Sequence, residues 1–183
     1  MIFKYLSKYI YPKQYNKSIF MIDFNKLYDL GYRILLFDLD NTIISYNVII
    51  PSKETIDLIN KLKEKFEIII ISNSKEKRVR EVCSYLNVDY LSNCLKPLLF
   101  KVKKLVKKYP LDKIILIGDQ LLTDITVANK LNIYSIIVDA INKKTEFKRT
   151  RLNRKFERKV LKKAKKRNEL KYNEVLKEYE RNI

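Results

Sequence analysis

Arg33-Ile-Leu-Leu-Phe-Asp-Leu-Asp-Asn-Thr42 decides how the rest of this 183-residue chain is read. The apolar run before Asp38 is too short for a helix and too continuous for a half-exposed strand, which is the pattern of a parallel strand covered on both faces. It ends in two carboxylates, Asp38 and Asp40, so its carboxyl end is where polar groups gather. Working outward, Pro51-Ser52 followed by Glu54, Ile56, Ile59 and Leu62 reads as a capped amphipathic helix to about Lys65. Phe66 to Ser72 is a second buried strand, about Lys75 to Leu86 a charged helix, and Val88 to Leu91 a short strand. Lys96-Pro97 reads as the opening of a helix, with proline in the first turn where its missing N–H costs nothing. Lys113 to Gly118 is a strand, Leu121 to Leu131 a helix and Ile133 to Val138 a last strand. The alternation predicts an α/β fold, a Rossmann-like parallel sheet with helices on both faces and ligands at the carboxyl ends of the strands.

Composition narrows the chemistry. His and Trp are absent, which excludes Ser-His-Asp and Cys-His nucleophiles, histidine zinc sites and histidine phosphotransfer. Cys83 and Cys94 are too few for a disulfide framework, so a reduced, cytoplasmic chain is expected. No run approaches the ~18 apolar residues of a membrane span, and Lys4 and Lys8 interrupt the apolar N-terminus, so no export signal is expected. The formal charge is +18, from 39 Lys and Arg against 21 Asp and Glu. It is unevenly spread: residues 1–34 carry +4, residues 35–142 carry +3 and residues 143–183 carry +11. The expected division is therefore a catalytic unit over 1–142, with an N-terminal extension over 1–34, followed by a basic, largely helical tail over 143–183. In that tail Leu161, Ala164, Tyr172, Val175 and Tyr179 share a narrow helical face while Leu152 and Phe156 project elsewhere, so the helix should be interrupted. A basic tail suits a polyanion, either lipid headgroups or nucleic acid. A lysine bias inherited from an AT-rich genome would give the same total charge without a partner.

Four clusters fall at the best-defined strand or strand–helix boundaries: Asp38-Leu-Asp-Asn-Thr42, Ser72-Asn-Ser74, Lys96-Pro97 and Gly118-Asp-Gln-Leu-Leu-Thr-Asp124. Asp38, Ser72, Lys96 and Asp119 are successively 34, 24 and 23 apart, each about one strand–helix unit, so a parallel sheet brings all four clusters to one edge. Asp38 and Asp40, two apart in an extended segment, point the same way. Like charges so placed repel unless a cation or proton intervenes, and Mg²⁺, with Asp119 as a third carboxylate, is the natural neutraliser. Taken singly, each cluster has a plainer reading: a solvated turn at Asp38, a helix N-cap at Ser72, a dipole-favoured charge at Asp124.

Asp38-x-Asp40-x-Thr42, Ser72, Lys96 and Gly118-Asp119 with Asp124 match, in order, the four motifs of the haloacid dehalogenase superfamily of phosphohydrolases, which this chain resembles. More narrowly, FDLDNT, KP, GDQLLTD and Thr150-Arg-Leu-Asn-Arg154 resemble the YqeG-type branch of subclass IIIA, which is similar to phosphatidylglycerophosphate phosphatases. Ser74 stands where that branch suggests Asn, and Val127-Ala-Asn-Lys130 lacks an expected glycine. The resemblance implies a capless haloacid dehalogenase fold and a phosphoric monoester hydrolase. Its catalytic residues would be Asp38 as nucleophile, Asp40 as acid and then base, Ser72 and Lys96. Thr42 and Asn73 would bind substrate, and Asp38, Asp40 (through its backbone carbonyl), Asp119 and Asp124 would form the surroundings of Mg²⁺, with Asp124 tethering Lys96 or a metal-bound water.

Only a loop at about Ile43–Ile50 and one helix separate Asp38 from Ser72, and the next interval is as short, which leaves no room for a cap domain. An uncovered site suits substrates that bring their own bulk. The expected substrate is a lipid headgroup phosphate such as phosphatidylglycerophosphate, met by peripheral contact with an anionic membrane at its cytoplasmic face. Two alternatives stay open: a nucleic-acid or ribosome-associated basic protein with a secondary phosphatase site, and a soluble sugar or nucleotide monophosphatase.

Overall fold

The computed structural model of the chain describes residues 2–183. Six strands form one all-parallel sheet: β1 (Gln14–Asn16), β2 (Ile34–Phe37), β3 (Glu67–Ile71), β4 (Asp89–Leu91), β5 (Ile114–Gly118) and β6 (Tyr134–Val138), in the order β1-β6-β5-β2-β3-β4. The α/β architecture is thus as the alternation predicts. The expected strands are all present, and the sheet gains β1, an edge strand whose polar Gln-Tyr-Asn carries no apolar alternation to announce it.

The period-2 geometry of a strand sends neighbouring side chains to opposite faces, and both faces are covered. Leu35, Phe37, Ile68, Ile70, Ile115, Ile117 and Ile136 pack under α2 (Phe24–Asp29), α3 (Lys53–Lys63) and α4 (Glu76–Leu86). Ile34, Leu36, Ile69, Ile71, Ile114 and Leu116 pack under α5 (Phe100–Val106) and α6 (Thr126–Leu131). Helix α3 starts where Ser52 accepts a hydrogen bond from Thr55 N, the N-cap read in the sequence.

Lys96-Pro97 does not open a helix. The residues form a turn with a cis peptide bond, and α5 begins at Phe100. The Lys96 backbone is claimed instead by Asn73, whose Oδ1 accepts from Lys96 N at 2.7 Å while its Nδ2 donates to Lys96 O at 3.0 Å.

The basic C-terminal segment forms a long helix, α7 (Lys148–Arg167), then α8 (Glu169–Val175) and α9 (Lys177–Arg181), with the break at Asn168, which caps α8 through its side chain. Val160, Leu161, Ala164, Tyr172, Leu176 and Tyr179 are buried against Ile137 of β6, Leu121, Ile125 and the N-terminal Ile10 and Tyr11. Leu152 and Phe156 stay exposed, as their phase on the helix requires. The lysines between these anchors cover the solvent side of α7. No helix among the described residues is long and apolar enough to cross a membrane.

In this order the chain runs outward from β2 to β3 and β4, then returns to the other side of β2 with β5 and β6. The crevice at such a reversal, at the carboxyl ends of the strands, is where parallel sheets hold ligands. Here it lies between β2 and β5, whose next residues are Asp38 and Asp119.

Candidate active site

Each cluster reaches the crevice by a different local device. Asp38 directly follows β2, its N–H donating to Ile117 O at 2.8 Å, so its backbone is still held in the sheet. Asp119 follows Gly118 on the neighbouring strand. Asp124 is presented by a π-helical turn over Leu121–Ile125 that precedes α6, a distortion that recurs at functional sites because it re-aims one side chain. Gly118 is required by this turn. A Cβ there would lie 2.5 Å from both Cβ and Cγ of Asp124 and 2.6 Å from its Oδ2. Gly118→Ala is therefore expected to cost about 1–3 kcal/mol of stability by overpacking and to displace Asp124. Kinetics and thermal melts on the same preparation check both effects, and an unperturbed Tm would show that the turn can yield.

The carboxylates converge. Asp38, Asp119 and Asp124 each offer an oxygen within 4.8 Å of the others, and all three are buried. Lys96 lies among them, only 2% exposed, and spends all three of its protons: its Nζ donates to Asp38 Oδ1 at 2.7 Å, Asp124 Oδ1 at 2.6 Å and Ile71 O at 2.8 Å. Burial works against the charge of this ammonium, but Asp124 and Asp38 outweigh it and hold its pKa above the ordinary lysine value. Asp124 Oδ2 accepts from Gln120 N and Thr123 Oγ1, both at 3.2 Å.

Asp119 is anchored from the C-terminal helix. Its Oδ2 accepts from Arg154 Nη2, and its backbone oxygen accepts from Arg154 Nη1 at 3.0 Å and from Tyr179 Oη at 2.9 Å. Arg154 also donates to Glu146 Oε1 through Nε at 2.9 Å, and Glu157 Oε2 lies 3.7 Å from its Nη1. Glu157 accepts in turn from Leu122 N at 3.1 Å, and Glu146 accepts from Asn41 Nδ2 at 3.2 Å. Asn41, directly after Asp40, adopts a left-handed φ of 67°.

Asp119 Oδ1 is buried and has no hydrogen-bond partner. An ionised oxygen left so is costly. Burial, against the pull of Arg154, pushes the Asp119 carboxyl up to about 7. Burial likewise raises Asp38 well above the carboxylate range, with Lys96 pulling it down and Asp124 and Asp119 adding to the rise. Both rises come first from burial of the charge, with the neighbouring carboxylates adding to it. An all-oxygen donor set with one unsatisfied buried oxygen fits a hard divalent cation such as Mg²⁺.

The remaining predicted residues sit around this cluster. Thr42 is buried with its hydroxyl 3.4 Å from Asp38 Oδ2. Asn73 engages the backbone of Lys96, as described, and reaches the cavity rim. Ser72 Oγ accepts from Ser74 N at 3.0 Å and lies 3.5 Å from Asp40 Oδ2. The carboxylate of Asp40 stands apart from the acidic cluster, paired with Arg78 at 2.7 Å. Asp38, Asp40, Ser72 and Lys96 all line one cavity of about 560 Å³. Its walls come from the loop after β2 (Tyr46, Ile49), the start of α4 (Lys75, Lys77, Arg78) and the first turns of α7 (Arg149, Thr150, Asn153), with Phe147 just before them. Tyr46 and Phe147 meet edge to face, with centroids 4.1 Å apart, so the loop and the C-terminal segment close one side. Among the described residues no separate domain covers the opening.

Arg78, Glu146, Arg154, Glu157 and Tyr179 were not legible as site residues in the sequence. Arg154 alone carried a signal, as the last residue of Thr150-Arg-Leu-Asn-Arg154, a segment singled out by resemblance without a role.

No family model matches the chain. It is 29% identical over 172 residues to a Bacillus subtilis (strain 168) protein named probable phosphatase YqeG, covering 92% of this chain and 99% of that one. Among solved structures, an uncharacterized protein of Listeria monocytogenes serotype 4b superposes with a TM-score of 0.50 at 14% identity, over 63% of this chain and 82% of that one. A magnesium-bound hydrolase of haloacid dehalogenase type, YfnB of Bacillus subtilis, gives a TM-score of 0.49 at 12% identity, over 60% and 95% of the two chains. With four motifs at one sheet edge and a likeness to YqeG that runs along almost its whole length, the chain is similar to the YqeG-type phosphatases of the haloacid dehalogenase superfamily.

Proposed function

We propose that the chain hydrolyses a phosphomonoester in two displacements at Asp38, with Mg²⁺ as its cofactor and a lipid headgroup phosphate as its substrate. The convergence of Asp38, Asp119 and Asp124 around Lys96, with the orphaned Asp119 Oδ1, is the observation that carries this reading. Asp38 attacks phosphorus; the bond to the leaving oxygen breaks, its electron pair stays on that oxygen, and Asp40 supplies the proton. Asp40, now a carboxylate, takes a proton from water as the water oxygen bonds to phosphorus and the aspartyl–phosphorus bond breaks. The products are the alcohol and inorganic phosphate, and both aspartates return to their starting states. Lys96 holds Asp38 in place and offsets negative charge beneath the transferring group. Ser72 and Thr42 orient the phosphoryl oxygens and Asp38. Mg²⁺ would be held by Asp38, Asp119 and the backbone of Asp40, with Asp124 beside it, and would supply charge neutralisation at the phosphoryl group.

The substrate class is supported by the cavity mouth. Ile50, Leu98 and Phe147 on loops at the carboxyl edge of the sheet, and Phe100 at the start of α5, are exposed, and Lys75, Lys77 and Arg149 line the opening. Apolar and cationic groups together suit an anionic bilayer surface. On this reading the chain works peripherally on the cytoplasmic face.

The test is hydrolysis by purified protein of phosphatidylglycerophosphate in anionic vesicles, compared with sugar and nucleotide monophosphates. Activity is expected to vanish on chelation, to return with Mg²⁺ but not with Zn²⁺, and to favour the lipid. Rescue by zinc alone would contradict the ligand set. Preference for a soluble monophosphate would replace the lipid by the small-metabolite alternative.

A further inference from the structure

Asp40 is held by a clamp that the two-step chemistry does not itself account for. Its Oδ1 accepts from Arg78 Nε at 2.9 Å and Nη2 at 2.7 Å, and its Oδ2 accepts from Ser74 Oγ at 2.5 Å. Arg78 comes from the first turn of α4 and Ser74 from the connection before it, so neither belongs to the segment that carries Asp40. The same guanidinium donates to Val48 O at 2.8 Å through Nη1 and to Ser45 O at 3.2 Å through Nη2, and it lies 4.9 Å from the centroid of the Tyr46 ring. One side chain therefore fixes the plane of the Asp40 carboxyl and fastens the cavity wall to it. Arg78 is 14% exposed and Asp40 17%, so the pair is shielded without being sealed off. A planar fork defines both the distance and the plane of a carboxylate, which an ammonium does not.

We propose that Arg78 is the positioning residue for Asp40, with Ser74 as the second jaw of the clamp, aligning the carboxyl with the leaving oxygen. This rests on the reading of Asp40 as the proton donor. It has a signature that mere structural support lacks. An alkoxide leaves phosphorus with difficulty unless a proton arrives as the bond breaks, whereas p-nitrophenolate leaves without one. Loss of alignment should therefore penalise alkyl phosphates selectively. The selectivity should appear in kcat/KM, which covers only the steps up to phosphorylation of Asp38.

Arg78→Lys, Arg78→Gln, Ser74→Ala and Asp40→Asn would be compared on glycerol 3-phosphate and p-nitrophenyl phosphate with saturating Mg²⁺, with circular dichroism confirming the fold. In the Arg78 variants kcat/KM for the alkyl ester is expected to fall about 100-fold, at the lower end of what general acids supply. The aryl ester should lose at least about ten-fold less, with KM for both little changed. Ser74→Ala should show the same selectivity in weaker form, and it tests the clamp independently if an Arg78 variant fails to fold. Equal losses on both esters, or a rise in KM alone, would overturn the proposal and make Arg78 a structural or substrate-binding group. Should Asp40→Asn be selective while the clamp variants are not, only the role of Arg78 and Ser74 fails. If Asp40→Asn itself lacks the selectivity, the assignment of Asp40 as donor falls, and the clamp with it.

Discussion

Asp38→Asn is expected to lower kcat by roughly 10⁴-fold or more, the scale seen when a covalent nucleophile is removed, while leaving the fold intact. The asparagine keeps the shape of the side chain but cannot attack phosphorus. It should not destabilise, because the charge it removes is one that burial already disfavours and that Asp124 and Asp119 repel. Lys96 would keep Asp124 at 2.6 Å and the Ile71 carbonyl at 2.8 Å, so no buried ammonium is left alone. Steady-state turnover with Mg²⁺ and a thermal melt on the same sample separate the two effects. Retention of a tenth of wild-type turnover would remove Asp38 from the nucleophile's role.

The largest stability effect is expected at Arg154. Its guanidinium, 6% exposed, contacts Asp119, Glu146 and Glu157, all of them buried. Arg154→Met keeps most of the volume and removes the charge, leaving three carboxylates without their main cation. Breaking a buried pair by removing one partner costs about 3–5 kcal/mol, or about 10 °C in Tm for a chain of this size. Activity should fall as well, because Asp119 loses its side-chain anchor and keeps only the Tyr179 hydrogen bond to its backbone oxygen. The companion Arg154→Met with Glu157→Gln should recover part of the stability, since one of the stranded charges is removed. A Tm unchanged in the single variant would show that these carboxylates are protonated or solvated in the folded chain.

Arg33 to Thr42 was legible because buried parallel strands have a continuous apolar signature and because Asp38 and Asp40 interrupt it abruptly. The same holds for Ile68–Ile71 and Ile114–Ile117. Spacing alone brought Asp38, Ser72, Lys96 and Asp119 to one edge, since each strand–helix unit returns the chain to it. β1 was not legible: a three-residue polar edge strand owes its form to its partner β6 rather than to its own pattern. The Lys96-Pro97 turn was misread because a proline after a lysine looks the same in a first helical turn as in a turn held by Asn73. Arg154 and Glu157 escaped notice because they are two charges among many in a basic segment. Their meaning depends on Leu161, Ala164 and Tyr179 docking that segment beside Asp119, a tertiary fact. Arg78 was hidden for the same reason, on a charged helix face whose other members are solvated.

The most direct measurement is the trapping of the covalent intermediate. The protein would be mixed with Mg²⁺ and a reactive aryl phosphate, quenched in acid within the first turnover, reduced with borohydride and mapped by mass spectrometry. The expected result is conversion of Asp38, and of no other carboxylate, to homoserine, with no conversion in Asp38→Asn. Reduction at a different aspartate, or turnover with no reducible intermediate under conditions where chemistry precedes product release, would contradict phosphoryl transfer through Asp38.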